Sequence, residues 1–284
     1  MFATLLGPLP RPPLPDDAAP EAILEAVIAL QMEHGLEPLT SAGRDAGPDP
    51  GDPVRSWRAA AARTDRLVKA VVDGPISGGA GLEPVRRTLL GLAEAGCTWI
   101  EVHEAVPGLA VGPGDPVAQG RFADTHRTLT SGLDGVHLSL ALIGGSAEAL
   151  GIDALLAGTY ASLAVDLIEG PDNWRLVAAA PGDRGIIVGA LDTSADSGDG
   201  PELLLWAAGY AASTAGRGGT RVGLATAGSL AHLPWDVAAR KVARLGAAAR
   251  LADSMPGQIR EAVDPRAIDI RSAALGRYRR ARRS

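Results

Sequence analysis

The sequence predicts a single (β/α)8 barrel, and three observations support it. Short apolar runs alternate with helix-like segments through most of the 284 residues, a pattern typical of a parallel sheet covered by helices. The apolar runs number eight, which is the strand count of this barrel, and about 250 residues is its usual length. A hydrophobic content of 46% provides enough apolar material for one large core.

The apolar runs have the length and composition of buried strands. In chain order they cover residues 4–6, 37–40, 67–72, 98–102, 135–142, 160–168, 185–191 and 221–224. Segments with helical spacing lie between them and include residues 20–34, 82–94, 200–214 and 234–251. Pro20 and Pro234 occur where a first helical turn accepts proline, and Gly35 and Gly96 follow predicted helix ends. A dinucleotide-binding sheet is the alternative fold, but no Gly-x-Gly-x-x-Gly follows the first strand.

The barrel is expected to occupy residues 1–255, and residues 256–284 are expected to form a basic tail that is helical or partly disordered. Eight arginines lie within residues 260–283, so the tail is a candidate contact for a homo-oligomer, although a solvated terminal helix explains it as well. The net charge of -6 argues against general nucleic-acid binding. We expect a cytoplasmic protein without a membrane partner, because no apolar run has the length of a membrane span and no signal peptide is recognisable.

Cys97 is the only cysteine of the chain. A single cysteine excludes an intramolecular disulfide and any zinc site with two or more thiolate ligands. Cys97 follows Gly96 at the entry to a predicted strand, where we expect a small core residue rather than a nucleophile.

Polar residues at the ends of the apolar runs are the candidate functional residues, because active sites of (β/α)8 barrels lie at the C-terminal ends of the strands. They are Arg11, Arg44, His103, Glu104, His137, Ser139, Asp166 and Asp192. We predict that the catalytic centre is formed at one end of the barrel by His103, Glu104, His137 and Asp166. The predicted substrate-binding residues are Arg11, Arg44, Ser139 and Asp192. Imidazole titrates near neutral pH, so His103 or His137 is the expected general base.

Four segments carry a family resemblance. They are residues 4–12 (TLLGPLPRP), 95–104 (AGCTWIEVHE), 136–139 (VHLS) and 233–241 (LPWDVAARK). These segments resemble the C-terminal catalytic barrel of the cobalamin-independent methionine synthase family, over about residues 3 to 252. The resemblance implies a methyltransferase of methionine biosynthesis, in which a methyl group passes from a folate to the thiol of homocysteine and a zinc ion holds the thiolate.

The matching positions retain little of that zinc site. The resemblance places the family's zinc-binding histidine on His137, its two cysteines on Ser139 and Gly228, and its glutamate near Asp166. A serine alcohol does not ionise near neutral pH and is a poor zinc ligand. We therefore expect no bound metal or other cofactor. Zinc, on His137 and Asp166, and methyl-folate are expected only if the parent activity is retained.

The positions that match the family's amino-acid pocket also differ. His103 replaces the acid that meets the substrate amine, next to a retained Glu104, and Arg44 falls within the segment that is acidic in the family. Loss of carboxylates and gain of basic side chains favour an anionic or neutral ligand.

Three functional hypotheses follow. The first is a divergent methionine-synthase-like enzyme that acts on a small molecule in the barrel mouth, with alkyl transfer to a small thiol as the parent chemistry. The second is a non-catalytic barrel that binds a ligand or a partner protein, with the arginine-rich tail as the docking element. The third is a metal-free, decarboxylase-like enzyme for an anionic substrate, with Arg11, Arg44 and Asp192 in the mouth, by analogy of fold alone.

Overall fold

The computed structural model describes residues 1–41, 51–109, 112, 114–195 and 200–254. Eight parallel strands form one nearly closed barrel, in the order β1-β8-β7-β6-β5-β4-β3-β2. The strands are β1 (Phe2–Thr4), β2 (Leu39–Thr40), β3 (Val68–Asp73), β4 (Trp99–Ala105), β5 (His137–Ile143), β6 (Ser162–Asp166), β7 (Gly185–Leu191) and β8 (Val222–Thr226). The predicted (β/α)8 barrel is confirmed.

Helices connect the strands and cover the outside of the barrel. They are α1 (Pro20–Glu33), α2 (Pro53–Ala61), α3 (Leu82–Glu94), α4 (Val106–Leu109), α5 (Pro116–Thr130), α6 (Ile152–Leu155), α7 (Trp174–Ala179), α8 (Pro201–Ser213) and α9 (Trp235–Ala252). The helical segments named from the sequence omit five of these helices, of which α2 and α5 are the longest. Both helices begin with proline after an aspartate whose carboxylate accepts backbone N–H bonds, Asp52 for α2 and Asp115 for α5. This Asp-Pro pair is a sequence signal that would have found them.

Strands β1 and β2 stand at the two ends of the strand order, and hydrogen bonds bridge the seam between them. The backbone N–H of Glu37 donates to the carbonyl of Ala3 at 2.8 Å. The Thr4 hydroxyl donates to the carbonyl of Pro38 at 2.8 Å, and the Thr40 hydroxyl donates to the carbonyl of Leu5 at 3.1 Å. Two threonines thus stabilise the closure where the strand ladder is interrupted.

The interior of the barrel is a small core, separate from the larger one between strands and helices. Its buried apolar residues are Leu6, Ala141, Ala164, Ile187 and Ala225. Successive strand residues point to opposite faces, so the outward residues pack against the helices. Three alanines occupy little volume, and polar side chains of β3, β4 and β5 share the interior with them.

Two predicted features fall outside the residues that the structure describes. They are Arg44 and the basic tail at residues 256–284. The last described helix, α9, ends at Ala252. Within the described residues, no helix has both the length and the apolar character to cross a membrane.

Candidate functional site

A cavity of about 290 Å³ opens at the C-terminal ends of the strands. Residues that end or follow five strands, β4 to β8, contribute to its wall. They include Ala105, Ile143, Asp166, Thr193, Gly228 and Ser229. The volume suits a small ligand, and the position is the one at which barrels of this type carry their active sites. We call it the mouth cavity.

Asp166 is the buried acid of the mouth cavity. It is the last residue of β6 and is 1% exposed. Its Oδ1 accepts hydrogen bonds from the backbone N–H groups of Ile168 at 2.8 Å and Glu169 at 2.9 Å, and its Oδ2 accepts one from Gly144 at 3.1 Å. Burial raises the pKa of this carboxyl and outweighs the three N–H bonds, and the charge of Glu169 adds to the rise. The carboxyl is therefore fixed in place and holds a proton more readily than an exposed aspartate.

A charged cluster that the sequence analysis did not predict lies deeper inside the barrel. Lys69 on β3 and Glu101 on β4 are both 0% exposed, and the Lys69 Nζ donates to the two Glu101 carboxylate oxygens at 2.7 and 2.8 Å. The Nε2 of His103 lies 2.7 Å from Glu101 Oε1. We call Lys69, Glu101 and His103 the interior cluster. The available signal was charge within apolar strand runs, since buried lysine and glutamate are rare unless paired.

The charges of the interior cluster stabilise each other. Burial would raise the pKa of Glu101, but Lys69 and His103 lower it to about 2. Burial lowers the pKa of the Lys69 ammonium, while Glu101 opposes that change. Glu101 is consequently an ionised carboxylate at neutral pH.

Glu104 does not face the barrel interior, contrary to the prediction. It adjoins His103 on β4, and neighbouring residues of a strand point to opposite faces. The Glu104 carboxylate accepts hydrogen bonds from the backbone N–H groups of Ile76 at 3.2 Å and Ser77 at 2.8 Å, in the loop after β3. Glu104 therefore anchors this loop, and it cannot share a ligand with His103.

A buried histidine lies behind Glu104. His126 on α5 is 0% exposed. Its Nδ1 is 2.6 Å from the Tyr160 hydroxyl, and its Nε2 is 3.2 Å from Glu104 Oε1, within ion-pair distance but not aligned as a hydrogen bond. These contacts link the helix layer to β4 outside the mouth cavity.

His137 lies at the opposite end of the barrel from Asp166. It is the first residue of β5, whereas Asp166 is the last residue of β6, and the strands run parallel. The His137 Nε2 is 2.9 Å from the Ser162 hydroxyl, and its ring packs against Trp99 with centroids 3.9 Å apart and ring planes tilted by 36°. The prediction that all four catalytic candidates converge is wrong for this residue. The apolar residues after His137 continue the strand, so the histidine begins it rather than ends it.

Ser139 lies in the middle of β5 and is 0% exposed. Its hydroxyl accepts a hydrogen bond from the Trp99 Nε1 at 3.0 Å and donates to Glu101 Oε2 at 3.4 Å. Ser139 therefore supports the interior cluster and does not belong to the wall of the mouth cavity.

Arg11 and Asp192 follow β1 and β7, but the wall of the mouth cavity does not include them. The guanidinium of Arg11 donates to the carbonyls of Pro15 and Asp16 in its own loop, both at 3.0 Å. The carboxylate of Asp192 accepts the backbone N–H of Ser194 at 2.7 Å. Both side chains stabilise loops, which leaves no described arginine in contact with the cavity.

The residues at the family's zinc positions do not fit a zinc site. His137 and Asp166 lie at opposite ends of the barrel, and the Ser139 hydroxyl is bound to Trp99 and Glu101. Gly228 offers no side chain at all. Zinc takes three or four protein ligands, and among the described residues no group of three histidine, cysteine or acidic side chains is arranged to hold a metal ion.

We expect the purified protein to retain far less than one zinc ion per chain, because a single imidazole or carboxylate binds zinc weakly. The measurement is elemental analysis after expression with added zinc and dialysis against a mild chelator. The variant His137→Ala serves as the control and should have the same low content. About one zinc per chain in the native protein, lost in this variant, would contradict the expectation.

Comparison with known proteins supports the fold. No protein-family model and no curated protein sequence matches the chain. The fold is similar to that of a B12-independent methionine synthase from Shewanella sp. W3-18-1 in complex with selenomethionine, which is 12% identical with a TM-score of 0.69, and the match covers 88% of this chain and 96% of that one.

Two other barrels are more distant. A dihydrodipicolinate synthase from Oceanobacillus iheyensis is 13% identical with a TM-score of 0.44, over 79% of this chain and 67% of that chain. A xylose isomerase domain protein from Alicyclobacillus acidocaldarius subsp. acidocaldarius is 16% identical with a TM-score of 0.48, over 89% and 100% of the two chains. At these identities the likeness concerns the fold alone.

Proposed function

We propose that this protein is a barrel enzyme that binds a small, amine-bearing molecule in the mouth cavity and uses Asp166 as an acid–base group. The position of Asp166 carries the proposal. It ends β6, lines the mouth cavity and is buried there. Acidic groups with raised pKa values in a cleft are typical of active sites, although structural networks also produce them.

The charge of the cavity wall favours a cationic group on the ligand. Asp166 and Glu169 are acidic, and the described residues of the wall include no lysine or arginine. This distribution reverses the expectation of an anionic or neutral ligand. It also disfavours the decarboxylase-like hypothesis, because Arg11 donates to its own loop instead of entering the cavity.

The apolar part of the wall favours an aliphatic or thioether group beside the amine. Pro107, Ile143 and Ile168 contribute to it. The Shewanella methionine synthase holds selenomethionine, an amino acid that combines these two features. In this proposal the buried Asp166 exchanges a proton with the reacting group of the ligand. Alkyl transfer to a thiol, which the family resemblance implies, would have to proceed without the family's zinc ligands.

Two variants test this proposal through the binding of L-selenomethionine, measured by calorimetry. Asp166→Asn keeps the Oδ1 acceptor for Ile168 and Glu169 but removes the charge, and we expect about tenfold to hundredfold weaker binding. Gly228→Phe should abolish binding, because a Cβ at this position meets no atom within 4 Å and the ring can fill the cavity. Melting curves check that both variants fold.

The matched control is Arg240→Ala, which removes an exposed pair with Asp236 on α9. It should bind L-selenomethionine as the native protein does. N-acetyl-L-selenomethionine, which lacks the ammonium charge, should bind weakly. Equal affinities for the native protein and both cavity variants would show that the mouth cavity is not the ligand site.

A further inference from the structure

We infer that the interior cluster is a second proton-transfer group of the same site, in which His103 is the catalytic base and Glu101 is the residue that positions it. The inference rests on the proposed function, because the ligand of His103 is the one that enters the mouth cavity. It adds a residue triad that the family resemblance does not supply.

His103 is the member of the cluster that lies furthest along the strands towards the mouth cavity, although it is not itself part of the cavity wall. It is 7% exposed, whereas Lys69 and Glu101 are 0% exposed. His103 precedes Ala105 by two residues on β4, so the two share the inner face of the strand, and Ala105 belongs to the wall of the mouth cavity. Its partner in the β5 register is the small residue Ala141.

The contact with Glu101 determines which nitrogen of His103 is basic. An ionised carboxylate only accepts hydrogen bonds, so the Nε2 at 2.7 Å from Glu101 Oε1 must carry a hydrogen. On the neutral ring the unprotonated nitrogen is then Nδ1. A carboxylate behind an imidazole fixes its tautomer and stabilises the imidazolium that forms when a proton is taken up.

The proton step follows from this arrangement. The lone pair of His103 Nδ1 takes a proton from a protonated heteroatom of the ligand, and the electron pair of the broken bond stays on that heteroatom. The imidazolium positive charge is held by Glu101. Lys69 binds both oxygens of Glu101 and keeps that carboxylate charged, so Glu101 does not itself become the base.

Stability alone does not account for the buried ion pair of Lys69 and Glu101 beside His103. Replacing a buried ion pair by apolar side chains of similar volume is often neutral or stabilising. The interior core is otherwise built of leucine, isoleucine and alanine, which would fill the space at lower desolvation cost. A role for His103 in chemistry explains why the charges are kept there.

Nitrogen NMR of the histidines tests the inference, since the chain has five histidines and each signal can be assigned by substitution. On the neutral ring of His103 we expect the Nε2–H tautomer, and we expect L-selenomethionine to shift its Nδ1 signal. In Lys69→Met combined with Glu101→Gln, both charges are removed together, so the tautomers should mix and the ligand-induced shift should disappear. His34, at the C-terminal end of α1 on the outside of the barrel, is the control signal and should stay unchanged.

Each outcome decides the question. A protonated Nδ1 on the neutral His103 ring of the native protein overturns the inference, whether or not the double variant folds. Binding of L-selenomethionine that requires Asp166 but leaves the His103 signals unmoved overturns the inference and leaves the proposed function standing. Failure of L-selenomethionine to bind the native protein counts against the proposed function and, with it, against the inference.

Discussion

Replacing Glu101 by leucine should lower the free energy of unfolding by about 3 to 5 kcal/mol, because it leaves the ammonium of Lys69 buried without its partner. Lys69 is 0% exposed and both of its short contacts to an acid are with Glu101. Combining Glu101→Leu with Lys69→Met removes both charges, and this double variant should be close to the native protein in stability. Urea denaturation, followed by circular dichroism, measures the free energy of unfolding of the two single variants and of the double variant. The departure from additivity gives the coupling energy between Lys69 and Glu101.

The control for this experiment is the exposed pair of Arg240 and Asp236 on α9, whose removal should change stability by less than about 1 kcal/mol. Acid titration provides a second check. In the folded protein the pKa of Glu101 is lowered from 4.5 to about 2. The contribution of Glu101 to the free energy of unfolding is therefore fully present above about pH 4.5 and is lost as the pH falls towards 2. If Glu101→Leu were no more destabilising than removal of the control pair, Lys69 would have to be solvated, which would contradict the prediction.

The strands and helices were largely predictable because their limits depend on local chemistry. Strand β7 occupies residues 185–191, as predicted, and helix α3 occupies residues 82–94, also as predicted. Glycine and proline mark the ends of an element, and the apolar run between them has the period of a strand or of a helix. Side chains that close the β1–β2 seam, such as Thr4 and Thr40, depend on contacts between distant segments and could not be read in the same way.

The positions of polar residues relative to the barrel were harder to predict, since they depend on where each strand begins and which face each residue takes. His137 was placed at a strand end, although the apolar residues after it extend β5 to Ile143. Glu104 was grouped with His103, although strand alternation alone separates them. Asp166 does lie at the end of β6, and its catalytic role stays a proposal.

The interior cluster depends on strand register, which the sequence leaves open. Lys69 and Glu101 are 32 residues apart, and their contact requires β3 and β4 to be aligned as observed. In that register Val71 pairs with Glu101 and Asp73 pairs with His103. A shift by one residue would turn the side chains of one strand to the other face and separate the charges. A charged residue within an apolar run therefore indicates burial but does not identify its partner.

We expect the protein to form little or no methionine from homocysteine and methyl-folate. Methyl transfer to a thiol requires the thiolate, and a free thiol with a pKa of about 8.5 is only about 3% ionised at pH 7, a loss of roughly thirtyfold before any other effect. The family activates its thiol with zinc, but the matching residues here cannot assemble that site, because His137 begins β5 and Gly228 has no side chain. Mass spectrometry of methionine, with and without added zinc and against a reaction without protein, measures the activity. Rapid zinc-dependent turnover that His137→Ala abolishes would contradict both the expectation and the observed placement of His137, since a residue at the N-terminal end of the barrel does not reach the mouth cavity.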